Sequence, residues 1–258
     1  MNQKRINSII IEAAQVAGKI LRLAFKGSAM KEINKSHIFC DVFSKADIES
    51  EKVIIEVISK KLPTVNILSE EKGFIDRNSH DTIVIDPLDG SSNFLLGLPH
   101  FSVAIAYFHL SEIVASVVYN PILDKMYFAE KGKGAFLNGK KLKPQTKRNS
   151  LYVAVNFSKA TWHEKRKIFD KLYKLKVIRV LNNWSPNLDY CLLAENKIDA
   201  VIAHNNLIYD FAPGFLIAKE SGCIEFPKIK DVSVSTNLSV SFTIANKTLL
   251  LAKIKNIT

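Results

Sequence analysis

Apolar positions change their period along this chain, and the change divides it into helices and sheets. Over 6–25, Ile6, Ile10, Ala13, Ala17, Ile20 and Ala24 share one helical face, while Glu12, Gln15 and Lys19 interrupt the apolar run, which predicts a packed amphipathic helix. A second helix is expected over 48–62, where Ile48, Val53, Ile54, Val57, Ile58 and Leu62 broadly keep the helical spacing. The period then shortens. Apolar runs near 66–69, 82–85, 101–108, 112–119 and 125–129 read as strands, and Ser102, Ala104 and Ala106 alternate with Val103, Ile105 and Tyr107 as in an antiparallel sheet. From about residue 150 the order becomes strand, helix, strand, helix, strand, helix, strand and a closing helix, the pattern of a sheet covered by helices. The expected class is α+β, a layered α-β-α-β-α unit with an antiparallel sheet in the N-terminal half and a mixed sheet with helices in the C-terminal half. No linker, repeat or low-complexity segment interrupts the chain, so one domain over 1–258 is expected, with halves of roughly 1–149 and 150–258.

Composition narrows the picture only in places. With 258 residues and 47% hydrophobic content the chain can bury a substantial core. No apolar run approaches the roughly 20 residues needed to cross a bilayer, and the interrupted run of 6–25 reads as a packed helix rather than a signal peptide. Cys40, Cys191 and Cys223 are odd in number, isolated and without metal-ligand spacing, as expected of buried thiols in a reducing cytoplasm. The net charge of +11 comes from lysines spread over the whole chain, densest over 131–147, which reads as hairpin and loop surface. Such charge suits steering of anionic phosphates or binding of nucleic acid, although a solvated lysine surface is its commoner origin. The six histidines form no HExxH or paired spacing, and His100, His109 and His163 read as structural or exposed.

The chemistry is concentrated in residues 84–94, Val-Ile-Asp-Pro-Leu-Asp-Gly-Ser-Ser-Asn-Phe. An apolar strand ends there in Asp86 and Asp89, presented together by the turn formers Pro87 and Gly90. Two acids so close repel, and a hard cation such as Mg²⁺ relieves them while keeping part of its water shell for a phosphorylated substrate. The N–H groups of Gly90 and Ser91, at a helix start, favour a phosphate oxygen. Asp-Pro and Asp-Gly are also ordinary turn chemistry, and a Ser after Gly is an ordinary N-cap. Taken alone, Glu70 and Glu71 after the strand at 66–69 read as a solvated loop, and Asp47 and Asp210 as N-caps of the helices that follow them.

Residues 84–94 resemble the metal-binding signature of the inositol monophosphatase family, Asp-Pro-Ile/Leu-Asp-Gly-Thr/Ser-x-Asn-Phe. Three further segments resemble the family's in the same order: Asp47 before its helix, Glu70 with Glu71 the less favoured candidate, and Tyr209-Asp210-Phe211-Ala212-Pro213-Gly214. The resemblance covers essentially the whole chain and implies a sugar-phosphatase fold and a Mg²⁺-dependent hydrolysis of a phosphate monoester. It implies one ion on Glu70, Asp86 and the Leu88 carbonyl, a second on Asp86, Asp89 and Asp210, and a weaker third beside Glu70 resting mostly on water. Such ions, about 4 Å apart, activate water on one side and neutralise the leaving alkoxide on the other. Glu70, Asp47 and Ser91 would be the catalytic residues, Ser91 donating to Asp47 so that the pair withdraws a proton from the attacking water. Gly90, Ser91, Ser92 and Ser185 would bind substrate. Lithium inhibition is implied too.

Fructose bisphosphatases share the string Asp-Pro-Leu-Asp-Gly-Ser-Ser-Asn but are longer, and nucleotide 3'-phosphatases usually replace the Asn-Phe. Phe94 and the length of 258 therefore favour inositol monophosphate, with fructose 1,6-bisphosphate and 3'-phosphonucleotides as alternatives. The pocket departs from the pattern. Trp184-Ser185-Pro186 stands where the family has Gly-Ser/Thr-Ala, Ala203 where an acid often contacts substrate hydroxyls, and Tyr209 where Trp is usual. Losing that acid weakens polyol selectivity. Pro213 is expected near the first turn of its helix, where a missing N–H costs little. The expected partners are a small phosphorylated substrate and, by resemblance, a second copy of the chain, with no membrane. RNA or transcription complexes, the partners of extragenic-suppressor members, are compatible with the +11 charge but not favoured.

Overall fold

The computed structural model describes residues 2–27, 32–34, 42–143, 151–158, 160–229, 234 and 239–246. Helix α1 spans Gln3–Lys26 and starts at Asn2, whose side chain accepts from Lys4 N at 3.0 Å. Its buried seam is Ile6, Ile9, Ile10, Ala13, Ala14, Ala17 and Leu21, while Ile20 and Ala24 stay half-buried. Gly18 lets this helix lie close on the sheet, because a Cβ there would stand 2.5 Å from the Tyr119 ring.

Two short strands, β1 (Glu32–Asn34) and β2 (Val42–Ser44), pair antiparallel and lead into α2 (Lys45–Lys61). This helix begins three residues before the expected start. Its buried face opens with Ala46, Asp47, Ser50 and Glu51 before turning apolar at Ile54 and Ile58, so a search for apolar periodicity meets the helix late. Asp47 is thus the third residue of α2 rather than its N-cap.

The large sheet contains β3 (Asn66–Ser69), β4 (Gly73–Ile75), β5 (Asp81–Asp89), β6 (Ser102–His109), β7 (Glu112–Asn120), β8 (Lys125–Glu130), β9 (Gly134–Leu137) and β10 (Lys140–Lys141), with the five-residue helix α3 (Ser91–Leu95) between β5 and β6. Their order is β10-β9-β8-β7-β6-β5-β3-β4, antiparallel throughout except for the parallel pair β3 and β5. The second sheet orders β12 (Arg179–Leu181), β11 (Tyr152–Phe157), β13 (Ala200–Leu207), β15 (Ser239–Ala245) and β14 (Ile224–Phe226). Strand β11 runs parallel to both neighbours and β15 antiparallel to both of its own, so this sheet is mixed. Helices α4 (Trp162–Lys174), α5 (Pro186–Ala194) and α6 (Ile208–Glu220) complete the described elements. The closing helix expected after β15, Cys40, and the end of the lysine-rich stretch at 144–147 lie outside the described residues.

Alternate residues of each strand fall into different cores, which fixes the layers. Ile83, Ile85, Val103, Ile105 and Tyr107 pack with α1 and α2 on one face of the large sheet. Val84, Ala104, Ala106 and Phe108 face the other way and share a core with α5, α6 and the inner face of the small sheet, Ala154, Val201, Phe242 and Ile244. Val153, Val155, Ala200 and Ile202 look outward under Ile168 and Leu172 of α4. The result is α-β-α-β-α. The alternation along β6 therefore separates small from large side chains and not wet from dry: both faces are buried, and the small residues make room for α5 and α6.

Candidate active site

Strand β5 carries its pairing past Asp86 to Asp89, which sits opposite Ser102 after a register shift between the two acids. Pro87 falls inside this irregularity, where no ladder N–H is needed. The expected end of the strand near residue 85 is thus a bulge, and the bulge turns both acids into the interior, each 2% exposed.

Asp89 is held on all sides. Its Oδ2 accepts from Ser185 Oγ at 2.6 Å and Ser102 Oγ at 2.8 Å, and its Oδ1 from the Asn187 N–H at 3.2 Å. Burial raises its pKa, and these bonds together with one from the Leu188 N–H oppose the rise. Asp86 is worse placed for an anion. It accepts from Leu88 N at 3.2 Å and faces Asn187 Nδ2 at 3.5 Å, and its pKa is pushed well up by burial first and then by the charges of Glu70, Asp89, Asp210 and Asp47. Four acids from separate segments thus bear on one buried carboxyl.

Each of those acids is anchored. The Glu70 N–H donates to Ile85 O at 3.1 Å, tying the end of β3 to β5. Glu51, buried on α2, collects the turn that follows: its Oε1 accepts from Ser69 Oγ at 2.5 Å, Lys72 N at 2.9 Å and Glu71 N at 3.2 Å. One residue earlier, Ser50 Oγ donates to Pro87 O at 2.7 Å. Asp210 is the third residue of α6 rather than its N-cap, accepting from Leu207 N at 3.4 Å and from Ser158 Oγ, which in turn receives Asn206 Nδ2 at 3.2 Å.

Beside the acids the chain makes a tight corner. Gly90 has φ +96°, and a Cβ on it would stand 3.0 Å from His100 O, 3.1 Å from Ser185 Cβ and 3.2 Å from Trp184 O, so both conformation and space require glycine. The bond anticipated from Ser91 to Asp47 is present, Oγ to Oδ1 at 2.9 Å, with the Leu88 carbonyl an alternative acceptor at 3.0 Å. Asn93 Nδ2 donates to His100 O and Asn183 O, each at 2.7 Å, stitching this corner to the C-terminal half. Ser92 is half-buried, whereas Ser185 is fully buried with its hydroxyl on Asp89, where it braces that acid.

As they stand, no three His, Cys, Asp or Glu side chains among the described residues are arranged to hold a metal ion. The donor set still fits a hard divalent cation, because Asp86 and Asp89 lie buried at the same bulge and the charges of Glu70, Asp89, Asp210 and Asp47 all push the pKa of Asp86 up.

Comparison with known proteins identifies the family. The model of the inositol monophosphatase family matches residues 2–256. The chain belongs to the inositol monophosphatase family. It is 34% identical to inositol-1-monophosphatase of Caulobacter vibrioides over 83% of this chain and 86% of that one, and 32% identical to the Nus factor SuhB of Xylella fastidiosa over 85% and 81%. The crystal structure of the extragenic suppressor protein SuhB from Bartonella henselae superposes with a TM-score of 0.85 at 27% identity, covering 96% of both chains. Membership in the inositol monophosphatase family supports hydrolase chemistry on a sugar or polyol phosphate.

Trp184, Ala203 and Pro213, where the motifs depart from the pattern that the resemblance implies, lie before α5, in β13 and in α6. Trp184 takes φ +54° and leaves its side chain about half exposed, 54%, directly before the buried Ser185. Ala203 is buried in β13 and offers no polar atom. Pro213 corrects its expected place: α6 starts at Ile208, so the proline is its sixth residue and removes an interior hydrogen bond. Leaving a buried carbonyl without a donor costs about 1–3 kcal/mol. Asn187 supplies one, Nδ2 to Tyr209 O at 2.9 Å. Among the braces that sequence reading missed, Ser102 was hidden as a strand residue, Glu51 as a helix acid expected on a wet face, and Asn187 because its partners lie on another helix.

Proposed function

We propose that this protein is a Mg²⁺-dependent phosphomonoesterase that hydrolyses a small sugar or polyol phosphate, inositol monophosphate foremost, with fructose 1,6-bisphosphate and 3'-phosphonucleotides as alternatives. The observation that carries the reading is the pair Asp86 and Asp89 buried together at the β5 bulge, with the charges of Glu70, Asp210 and Asp47 acting on Asp86. In this reading Glu70, Asp86 and the Leu88 carbonyl hold one ion and Asp86, Asp89 and Asp210 a second, with a third beside Glu70 resting on water. Bound there, Mg²⁺ supplies a nucleophilic water at neutral pH and neutralises the leaving alkoxide.

The protein's own groups do the rest. The Ser91 hydroxyl, donating to Asp47 at 2.9 Å, accepts a proton from the attacking water as it passes its own to the carboxylate. Glu70 orients the same water from the end of β3. The N–H groups of Gly90 and Ser91, with Ser92 at the rim, hold phosphate oxygens, and Ser185 keeps Asp89 turned toward the site. Asp89→Asn is expected to cut Mg²⁺-dependent phosphate release by about 10²–10³-fold while leaving the fold intact by circular dichroism, and unchanged turnover would refute the assignment. The same assay is expected to show inhibition by Li⁺.

The reading takes the two halves, roughly 1–149 and 150–258, as one working unit, expects a homodimer, and puts the protein in a reducing cytoplasm. The buried free thiols of Cys191 and Cys223 are in keeping with that compartment, and among the described residues no helix is long and apolar enough to cross a membrane. A second reading has its own support: a relative named Nus factor SuhB and a net charge of +11 suit a role on RNA or a transcription complex. RNA binding that falls with salt and survives Asp89→Asn would favour it.

A further inference from the structure

Pro213, inside α6, has no N–H for the carbonyl of Tyr209 one turn before it. Asn187, in the first turn of α5, meets the break from both sides. Its Nδ2 donates to Tyr209 O at 2.9 Å, and its Oδ1 accepts from the N–H of Gly214, the residue after the proline, at 3.0 Å. The same Nδ2 faces Asp86 Oδ2 at 3.5 Å, and the Asn187 backbone N–H donates to Asp89 Oδ1 at 3.2 Å. Asp210 follows Tyr209 directly. One side-chain amide therefore touches the carbonyl next to the acid of α6 and Asp86, while the backbone N–H of the same residue holds Asp89.

The chemistry selects asparagine. Asp at this position offers no donor to Tyr209 and sets a further charge beside Asp86, and Ala offers neither donor nor acceptor. Gly214 allows the approach, since a Cβ there would stand 2.7 Å from Tyr190 Cδ2 and 2.8 Å from Asn187 O.

We propose that Asn187 is a positioning residue: it replaces the hydrogen bond that Pro213 removes and so fixes Asp210, at the start of α6, against Asp86 and Asp89. The proposal rests on the phosphatase reading of these acids. It predicts a pairing between two positions on different helices, in which each residue is tolerable because of the other.

The test is a double-mutant cycle on the full chain with Asn187→Ala, Pro213→Ala and both, read by thermal unfolding without metal, by the rise in Tm on adding Mg²⁺, and by phosphate release against Mg²⁺. Asn187→Ala is expected to lower the metal-free Tm and to raise the Mg²⁺ concentration for half-maximal effect about tenfold or more, with a smaller change in kcat at saturating metal. Pro213→Ala gives Tyr209 a helical donor again, so it is expected to change little alone and to recover much of both losses when combined with Asn187→Ala. Asn187→Asp, which keeps the size without the donor, is expected to fail as Ala does. Equal Mg²⁺ dependence in wild type and Asn187→Ala, or the same effect of Pro213→Ala in both backgrounds, would overturn the proposal. If Mg²⁺ raises Tm with the expected difference between the two proteins while neither releases phosphate, the positioning role stands and the phosphatase reading falls.

Discussion

The acids of the N-terminal half and the acid of α6 are held in different ways. Asp47, Glu70, Asp86 and Asp89 all come from residues 47–89, a stretch that α2 braces through Asp47 to Ser91, Ser50 to Pro87 and Glu51 to the turn after β3, while Asp89 itself also rests on Ser102 of β6 and on Ser185 and Asn187 of the C-terminal half. Asp210 arrives alone from the other half, and its place depends on Ser158, Asn206 and the contact of α5 with α6. The first group is built into one continuous scaffold, whereas the second is a junction. Damage to the scaffold should therefore cost stability and activity together. Damage to the junction should show first in the demand for metal.

Glu51→Ala strikes the scaffold. It strips the acceptor from the Ser69 hydroxyl and from the N–H groups of Glu71 and Lys72, and is expected to cost about 2–4 kcal/mol in urea unfolding and about 10–100-fold in activity. Gly214→Ala strikes the junction. Its Cβ has to push Tyr190 and the Asn187 backbone aside, at about 1–3 kcal/mol, and half-saturation with Mg²⁺ is expected to rise more than kcat falls. If the two variants show the same ratio of stability loss to metal demand, the contrast between scaffold and junction is wrong.

A smaller effect separates burial from metal binding within α5. Asp189 is fully buried, with Asn183 Nδ2 donating at 2.6 Å and the Asn156 amide nitrogen, turned to the carboxylate, at 2.8 Å. Burial, helped by the charge of Asp89 and opposed by Asn183, pushes its pKa from 3.8 up to about 8. A raised acid holds more protons folded than unfolded, so its contribution is present at low pH and lost as pH rises from about 4 to about 8. The metal-free protein is expected to lose Tm across that window, and Asp189→Asn to remove a measurable part of that loss. A Tm profile identical in the variant would show that the carboxyl ionises without penalty.

What the sequence made legible follows the same division. The string at 84–94 is contiguous, so its two acids, its glycine and its serine could be read together, and the bond from Ser91 to Asp47 could be anticipated. The start of α2 escapes a search for apolar periodicity because Asp47, Ser50 and Glu51 on its buried face are polar, and polarity on a helix normally marks the wet face. The sequence places the end of the strand carrying Asp86 and Asp89 near residue 85, because Pro87 and Gly90 signal a turn whether the chain leaves the sheet or bulges within it. Asn187 and Pro213 were unreadable as a pair. Their relation depends on where α6 begins and on how two helices pack, and neither leaves a local pattern in the chain.

The central claim is that acids from both halves close around a divalent cation. Anomalous diffraction from a crystal soaked in Mn²⁺ tests it most directly. The expected result is an anomalous peak bonded to Asp86 and Asp89 with Glu70 on one side and Asp210 on the other. Saturating Mn²⁺ that leaves this position empty while ordered peaks form elsewhere would contradict it.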